Sequence, residues 1–207
     1  ASHWPPACFP LVRPVVPLGG DTDCLTPAPD RAAAWAELGF GGSHGIATVG
    51  RIRPEKGTDL FVEAMLRLLP RRPGAVALVV GRAGGKQGAF PWKLKAQVAA
   101  AGLADRLLFV GEYPATELPR LMRALSLVVQ LPRYEGYGMV IDEALAEALP
   151  IISSDGGALA QTSARPGVVQ YCAGAIRALE ARRKRCRLYT TDAATDNGGH
   201  EHRGRRS

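Results

Sequence analysis

The sequence predicts an α/β fold, a Rossmann-like, doubly wound parallel sheet. Short apolar segments with β-branched residues alternate with segments of helical periodicity between residues 45 and 155, which is typical of repeated β-α-β units. The segment Ala75–Gly81 is apolar throughout, as expected of a strand that is buried on both faces. Glycines and prolines separate the segments and mark the turns.

The individual elements follow from these patterns. Apolar residues recur every three or four positions in Thr58–Leu69, which predicts a helix, and Asp30 is a suitable N-cap for a short helix before the first strand. The predicted strands are Gly45–Ile52, Ala75–Gly81, Arg106–Gly111, Leu125–Leu131 and Pro150–Asp155. The predicted helices are Arg31–Leu38, Thr58–Leu69, Trp92–Ala101, Glu117–Ala124 and Val140–Ala148.

The pattern divides the chain into three parts. Residues 1–44 are rich in proline and glycine and are expected to be a linker, and residues 45–167 are expected to be the Rossmann-like domain. After Gly167 the periodicity weakens, so residues 168–207 are expected to form a basic helix over Ala173–Arg187 and a disordered tail.

Composition excludes several classes of protein. The chain of 207 residues is 46% hydrophobic, which is too much for a disordered protein, and no apolar stretch approaches the roughly 18–20 residues of a membrane span. The net charge of +7 favours anionic partners, although much of it lies in Arg182–Arg187 and Arg203–Ser207. No two cysteines stand at C-x-x-C spacing, so we expect reduced thiols rather than a disulfide or zinc framework. They are Cys8, Cys24, Cys172 and Cys186.

Residues with binding chemistry follow the predicted strands. Gly50 to Gly57 (GRIRPEKG) places three cations beside a helix N-terminus, where backbone amides and the helix dipole favour phosphate. Taken alone, such a loop is more often simply solvated. The Gly81–Gly88 loop does not match G-x-G-x-x-G, which argues against a dinucleotide-dependent oxidoreductase.

Two later loops add amides and carboxylates. Pro132 to Gly138 (PRYEGYG) contains glycines that let backbone approach a ligand, and Glu135 and Glu143 are suited to accept hydrogen bonds from sugar hydroxyls. Taken alone, Glu143 is more simply explained as an ordinary acid in the first turn of a helix. The segment Ser153 to Gly157 (SSDGG), taken alone, is more simply explained as a tight turn. Because all three loops lie at the carboxyl ends of parallel strands, they converge on one crevice. That crevice suits a nucleoside diphosphate that carries a polyol.

Four segments in order resemble one family. VGRIRPEKGTDLFVEAM, LLFVGE, PRYEGYGMVIDEAL and LPIISSDGG resemble the C-terminal, donor-binding half of the GT-B fold in retaining group 1 (GT4-type) glycosyltransferases. The similarity is greatest to lipopolysaccharide core mannosyltransferases, and it covers about Asp21 to Gln161. It implies that residues 45–167 bind a nucleotide sugar.

The resemblance assigns roles residue by residue. Arg51 and Lys56 match the basic pair that grips the donor diphosphate, and Glu135 matches the acid near the transferred sugar; these three are the expected catalytic residues. Glu143 matches the acid at the ribose hydroxyls. The remaining expected donor-binding residues are backbone contacts to sugar and phosphate and a border of the nucleobase pocket: Gly50, Gly136, Tyr137, Gly138, Val110 and Gly111. No metal or other cofactor is expected.

The resemblance also implies the reaction and its setting. We expect retaining transfer of a hexose, with mannose from GDP-mannose favoured and a UDP-hexose second, to a glycan or lipid-linked acceptor. The acceptor would bind on an N-terminal domain that this chain does not contain, so the chain alone is expected to be inactive. The expected location is cytoplasmic, with peripheral contact to the inner face of the membrane. No nucleic acid is expected. The alternative is a non-catalytic nucleotide-binding module that needs a separate acceptor domain.

The sequence departs from the family pattern in the fifth predicted helix and before it. Ala148 stands where the family has a glycine, and alanine there would strain a left-handed helix end. Asp142 replaces an apolar residue, and Gly20 replaces a larger one in the linker.

Overall fold

The computed structural model of the chain describes residues 27–83, 88–162 and 167–171. Its strands are β1 (His44–Val49), β2 (Ala75–Val80), β3 (Leu107–Gly111), β4 (Leu127–Gln130), β5 (Ile151–Ser154) and β6 (Val168–Tyr171). Its helices are α1 (Arg31–Glu37), α2 (Thr58–Leu68), α3 (Ala89–Ala100), α4 (Leu118–Ala124) and α5 (Met139–Ala146). All strand pairs are parallel, in the order β3-β2-β1-β4-β5-β6. The predicted doubly wound parallel sheet is confirmed.

Helices cover both faces of this sheet because successive side chains of a strand point to opposite faces. In β2, Val76 and Leu78 pack into a cluster with side chains of α1, α4 and α5. Ala77 and Val79 pack on the other face, against side chains of α2 and α3. The apolar run of β2 is therefore explained by burial on both sides, as its sequence predicts.

Helix α1 belongs to this core. Asp30 caps it as predicted, because its side chain accepts a hydrogen bond from the amide of Ala33 at 3.0 Å. Trp35 is only 2% exposed and packs against β1 so closely that a Cβ added at Gly45 would lie 2.2 Å from its ring. The expected boundary between linker and domain at residue 44 is therefore too late, since residues 31–37 are part of the packed domain.

The sheet also extends beyond the expected boundary at Gly167. β6 pairs with β5 from Ile151↔Val168 to Ser154↔Tyr171, so the expectation that residues 168–171 belong to a helix and tail is wrong. Four residues are too few to show a strand's periodicity in the sequence. The expected helix over Ala173–Arg187, the disordered tail, the four cysteines and Gly20 lie outside the described residues.

The C-terminus of α5 contains the strain that the sequence predicts. Ala148 has φ of +50°, a left-handed conformation that alanine adopts at a cost. Its amide donates to the Leu145 carbonyl and the Leu149 amide donates to the Ala144 carbonyl, both at 2.9 Å, the two bonds of a Schellman helix end. The guanidinium of Arg31 donates to the carbonyls of Ala148 and of two other residues, Leu125 and Glu147.

The strand order places a crevice between β1 and β4. The chain winds to one side of β1 through β2 and β3 and to the other side from β4, and such switch points are where α/β sheets bind ligands. Only two residue pairs join β1 to β4, Ile46↔Leu127 and Ala47↔Val128. Beyond these pairs the two strands are connected by the side chain of Gln130, because its amide Nε2 donates a hydrogen bond to the Val49 carbonyl at 3.0 Å.

Candidate active site

A cleft of about 360 Å³ lies at this crevice, within the usual size range of small-molecule sites. Backbone and side chains at the carboxyl ends of β1 and β4, the start of α5 and Leu159 line it. Six residues predicted from the sequence are among them: Gly50, Arg51, Lys56, Glu135, Tyr137 and Gly138. The predicted convergence of the loops after β1 and β4 is therefore present in the fold.

The loop after β1, residues 50–57, supplies the cations of the cleft, and we call it the cationic loop. Gly50 (φ +142°) turns the chain out of the strand, and Gly57 (φ +67°) leads into α2. A Cβ at Gly57 would lie 1.8 Å from the Leu131 carbonyl oxygen, so only glycine lets this loop pack on the end of β4. Arg51 is exposed at the cleft, and within the described residues its guanidinium makes no hydrogen bond or ion pair.

The cationic loop meets the loop after β4 through one ion pair. Lys56 Nζ lies 2.6 Å from Glu135 Oε2, and the two side chains are 32% and 20% exposed. The other carboxylate oxygen, Oε1, accepts a hydrogen bond from the Gly136 amide at 3.0 Å. Two residues that the sequence predicts to be catalytic, 79 positions apart, are thus in direct contact.

The loop after β4, residues 132–138, is supported from behind by the loop after β5. The Glu135 carbonyl accepts from the Ala158 amide at 2.9 Å, and the Pro132 carbonyl accepts from Ser154 Oγ at 2.6 Å. Ser154 and Ala158 thus hold this loop in place, and the suggestion that the Ser153–Gly157 turn offers amides to a ligand stays a prediction. Gly138 (φ +94°) forms the N-cap of α5 at the cleft, while Gly136 does not line it.

Glu143 lies outside the residues that line the cleft, one helical turn beyond Met139 and Val140, which do line it. Residues three and four apart share a helix face, so Glu143 is next to the cleft along α5. Burial, and secondly the Asp142 carboxylate, raise the pKa of Glu143 above its ordinary value. Its Oε2 is buried and accepts no hydrogen bond from the described residues, so it is an acceptor in need of donors.

Val110 and Gly111 also lie outside the cleft, two strands away at the end of β3. The Gly111 carbonyl accepts from the Gly81 amide at 2.6 Å, and a Cβ at Gly81 would lie 1.9 Å from the Gly50 carbonyl oxygen. A continuous line of backbone contacts therefore runs from Gly50 in the cleft to Gly111. Val110 and Gly111, expected to border the nucleobase, lie at the same edge of the sheet as the cleft and at the far end of this line, and that role stays a prediction.

Sequence reasoning missed two polar groups beside the cleft. Gln130 is 9% exposed and forms part of the cleft floor; an amide at the end of an apolar strand was the available signal. Arg133 forms a two-bond ion pair with Asp59, a contact over 74 positions that no local pattern indicates.

Two features are absent from residues 27–83, 88–162 and 167–171. No cluster of three or more histidine, cysteine, aspartate or glutamate side chains is arranged to hold a metal ion. Independence from metal nevertheless stays a prediction. In the same ranges no helix has the length and apolar character that crossing a bilayer requires.

Comparison with known proteins assigns the family. The model of the family "Glycosyl transferases group 1" matches residues 35–173. The chain belongs to the group 1 glycosyltransferases. The matched range begins within α1, at Trp35, and includes β6, in agreement with the corrected domain boundaries.

Individual relatives of this group 1 chain are concentrated among sugar transferases. It is 45% identical over 144 residues to a lipopolysaccharide core biosynthesis mannosyltransferase, LpsB, of Rhizobium meliloti, which covers 69% of the chain and 40% of that protein. It is 38% identical to a D-inositol 3-phosphate glycosyltransferase of Segniliparus rotundus, over 74% of the chain and 34% of that protein. The chain thus spans well under half the length of these relatives.

Solved structures agree on the fold. The C-terminal domain of a group 1 glycosyltransferase, LpcC, from Francisella tularensis superposes with a TM-score of 0.71 and 31% identity, covering 79% of this chain and 87% of that domain. Anabaena HepE in complex with UDP-glucose superposes with a TM-score of 0.65 over 79% of this chain and 46% of HepE. Its 23% identity shows a common fold only. The GT-B assignment is confirmed by these neighbours.

Proposed function

We propose that the chain binds the donor of a retaining hexosyltransferase and that the cleft between β1 and β4 is the donor site. The observation that carries this proposal is the contact between Lys56 and Glu135. It joins a cationic loop and an acidic glycine turn at the N-termini of two helices, and this combination suits a diphosphate attached to a sugar.

The diphosphate would lie against the cationic loop. Arg51 supplies a guanidinium without a partner in the described residues, and Lys56 supplies an ammonium with three N–H donors, one of which meets Glu135. When the bond between the sugar's anomeric carbon and the phosphate oxygen breaks, negative charge develops on that oxygen. Prearranged cations stabilise this charge in the transition state, and they would do so without a metal ion.

The sugar and ribose would meet the two carboxylates. Glu135 is held by Lys56 and the Gly136 amide, so its oxygens are oriented and can accept hydrogen bonds from sugar hydroxyls. Glu143, with a buried oxygen that lacks a donor in the described residues, would accept from the ribose. Val110 and Gly111 would border the nucleobase, at the far end of the backbone line that starts at Gly50.

The finer assignments rest on relatives. The R. meliloti protein is named as a mannosyltransferase of the lipopolysaccharide core, which favours GDP-mannose as donor and a lipid-linked glycan as acceptor. HepE was solved with UDP-glucose, which makes a UDP-hexose the second choice. We place the reaction on the cytoplasmic side of the membrane, with the acceptor held by a partner domain.

Calorimetric titration and thermal unfolding with GDP-mannose, GDP, UDP-glucose, UDP and NAD would test the donor site. A ligand that binds only the folded chain adds about 2.7 kcal/mol of stability at a hundredfold excess over its Kd, so one nucleotide sugar should raise Tm clearly. Lys56→Met and Glu143→Gln should each abolish the shift, and Lys93→Met, on the exposed face of α3, should retain it.

Three results would contradict the proposal. A cooperative melt whose Tm is not raised by any nucleotide sugar would contradict the proposed donor site. A shift with NAD alone would replace it with dinucleotide binding. Equal loss in the Lys93 control would show that the effect is one of overall charge.

A further inference from the structure

Arg133 joins the two cleft loops by a bidentate ion pair. Its Nη1 lies 2.8 Å from Asp59 Oδ1 and its Nη2 lies 2.7 Å from Asp59 Oδ2. Asp59 stands in the first turn of α2, directly after the cationic loop. The planar guanidinium matches both carboxylate oxygens at once, which a lysine ammonium cannot do.

Arg133 contacts the cationic loop in two further places. Its backbone amide donates to the Glu55 carbonyl at 2.9 Å, and its guanidinium also donates to the Pro54 carbonyl. Pro54 and Glu55 immediately precede Lys56, and Arg133 stands two residues before Glu135. The bonds of Arg133 therefore secure both chain segments that carry the Lys56–Glu135 contact.

The pair is charged and partly shielded. Burial raises the pKa of Asp59, but the hydrogen bonds and charge of Arg133 outweigh it and hold that pKa below its ordinary value. The Asp59 hydrogen bonds in turn raise the pKa of Arg133. The side chains are 43% and 32% exposed, and ion pairs at such exposure contribute little to overall stability. The pair therefore acts mainly on the position of the two loops rather than on the stability of the fold.

We propose that Arg133 is a positioning residue that, through Asp59, holds the cationic loop in place opposite Glu135 and so sets the affinity for the diphosphate group of the donor. Neither residue lines the cleft, so both act through Arg51 and Lys56. This inference rests on the proposed function for its ligand. Its structural part, the dependence of the Lys56–Glu135 contact on Arg133, stands without one.

A double-mutant cycle on the purified chain tests the coupling. The variants are Arg133→Gln, Asp59→Asn and both together, with Arg133→Lys as the conservative change. Arg67 and Glu63 provide a matched control, because they form a 2.7 Å ion pair of similar exposure elsewhere on α2. Calorimetry would measure the Kd of GDP and UDP and, separately, of guanosine and uridine.

Each single variant at Arg133 or Asp59 should weaken diphosphate binding about tenfold, and the double variant should lose little more than either single one, since coupled residues are not additive. Nucleoside affinity should stay unchanged, and Arg133→Lys should resemble Arg133→Gln. The control cycle should change diphosphate affinity less than twofold. Equal loss of nucleoside and diphosphate binding, in proportion to a lower Tm, would show a merely structural residue and overturn the proposal.

A measurement without ligand separates this proposal from the donor site. The Gly136 amide donates to Glu135 Oε1, so its NMR resonance and hydrogen exchange report the position of that carboxylate. Both should change in the Arg133 and Asp59 variants and stay constant in the Arg67 and Glu63 control variants. If they change while the parent chain binds no diphosphate, the proposed function falls and the positioning role stands. If neither the resonance nor the diphosphate affinity changes, the positioning role is refuted.

Discussion

Ala148→Gly should stabilise the chain. Ala148 is exposed, with φ of +50°, and a left-handed conformation costs a non-glycine residue about 1–2 kcal/mol. Glycine removes that cost but adds about 0.5–1 kcal/mol of chain entropy to the unfolded state. The difference predicts a gain of about 0.5–1 kcal/mol, because the two helix-end hydrogen bonds are made by backbone amides and are retained.

The same substitution at Ala96 is the control. Ala96 is exposed in the middle of α3, where glycine in place of alanine costs about 1 kcal/mol. Urea unfolding at constant m-value should therefore move the midpoint up for Ala148→Gly and down for Ala96→Gly, with a rise in Tm of about 2–4 °C per kcal/mol. A midpoint that falls in both variants would refute the argument that the φ of Ala148 stores strain.

Two further predictions concern charged groups. Arg31→Ala should lower the free energy of unfolding in urea by about 2–3 kcal/mol, because three carbonyls lose a charged donor and the fully buried Glu147 loses a nearby cation. Arg31→Lys should recover only part of this loss. An unchanged urea midpoint in Arg31→Ala would contradict the stabilising role of Arg31. Burial, and then Asp142, raise the pKa of Glu143 above its ordinary value of 4.5, because both disfavour the charged carboxylate in the fold. The protonated carboxyl avoids this penalty, so its contribution to the stability of the fold is present below pH 4.5 and is lost as pH rises through the folded pKa. Glu143→Gln should match the parent near pH 4 and exceed its stability at pH 7, and an equal difference at both pH values would refute this.

The sheet could be predicted from the sequence where burial leaves a long, one-sided record. β2 is apolar in all six positions because both faces are covered, and α2 shows its buried face at Phe61 and Met65. β6 was missed because it has only four residues, which include the polar Gln170, and because the periodicity of the sequence weakens there. α1 was recognised as a helix, yet only its packing shows that it belongs to the domain.

The site could be predicted only in part because its contacts connect distant positions. Parallel strand topology predicts that residues after β1 and β4 converge, and Lys56 does contact Glu135. The same rule does not tell which residues of a loop face the cleft, so Gly136 and Glu143 were expected there and lie beside it. The pairing of Arg133 with Asp59 depends on the exact approach of two loops, which local patterns do not encode.

The edge of the cleft is built from main chain packed on main chain. Cβ atoms added at Gly57, Gly81, Gly156 and Gly157 would each approach a backbone oxygen of a neighbouring loop to between 1.8 and 2.5 Å. A side chain at any of these four positions would collide with the neighbouring main chain, so variation in the groups that line the cleft is confined to other positions. The four glycines thus fix how closely the loops approach one another, whatever groups line the cleft between them.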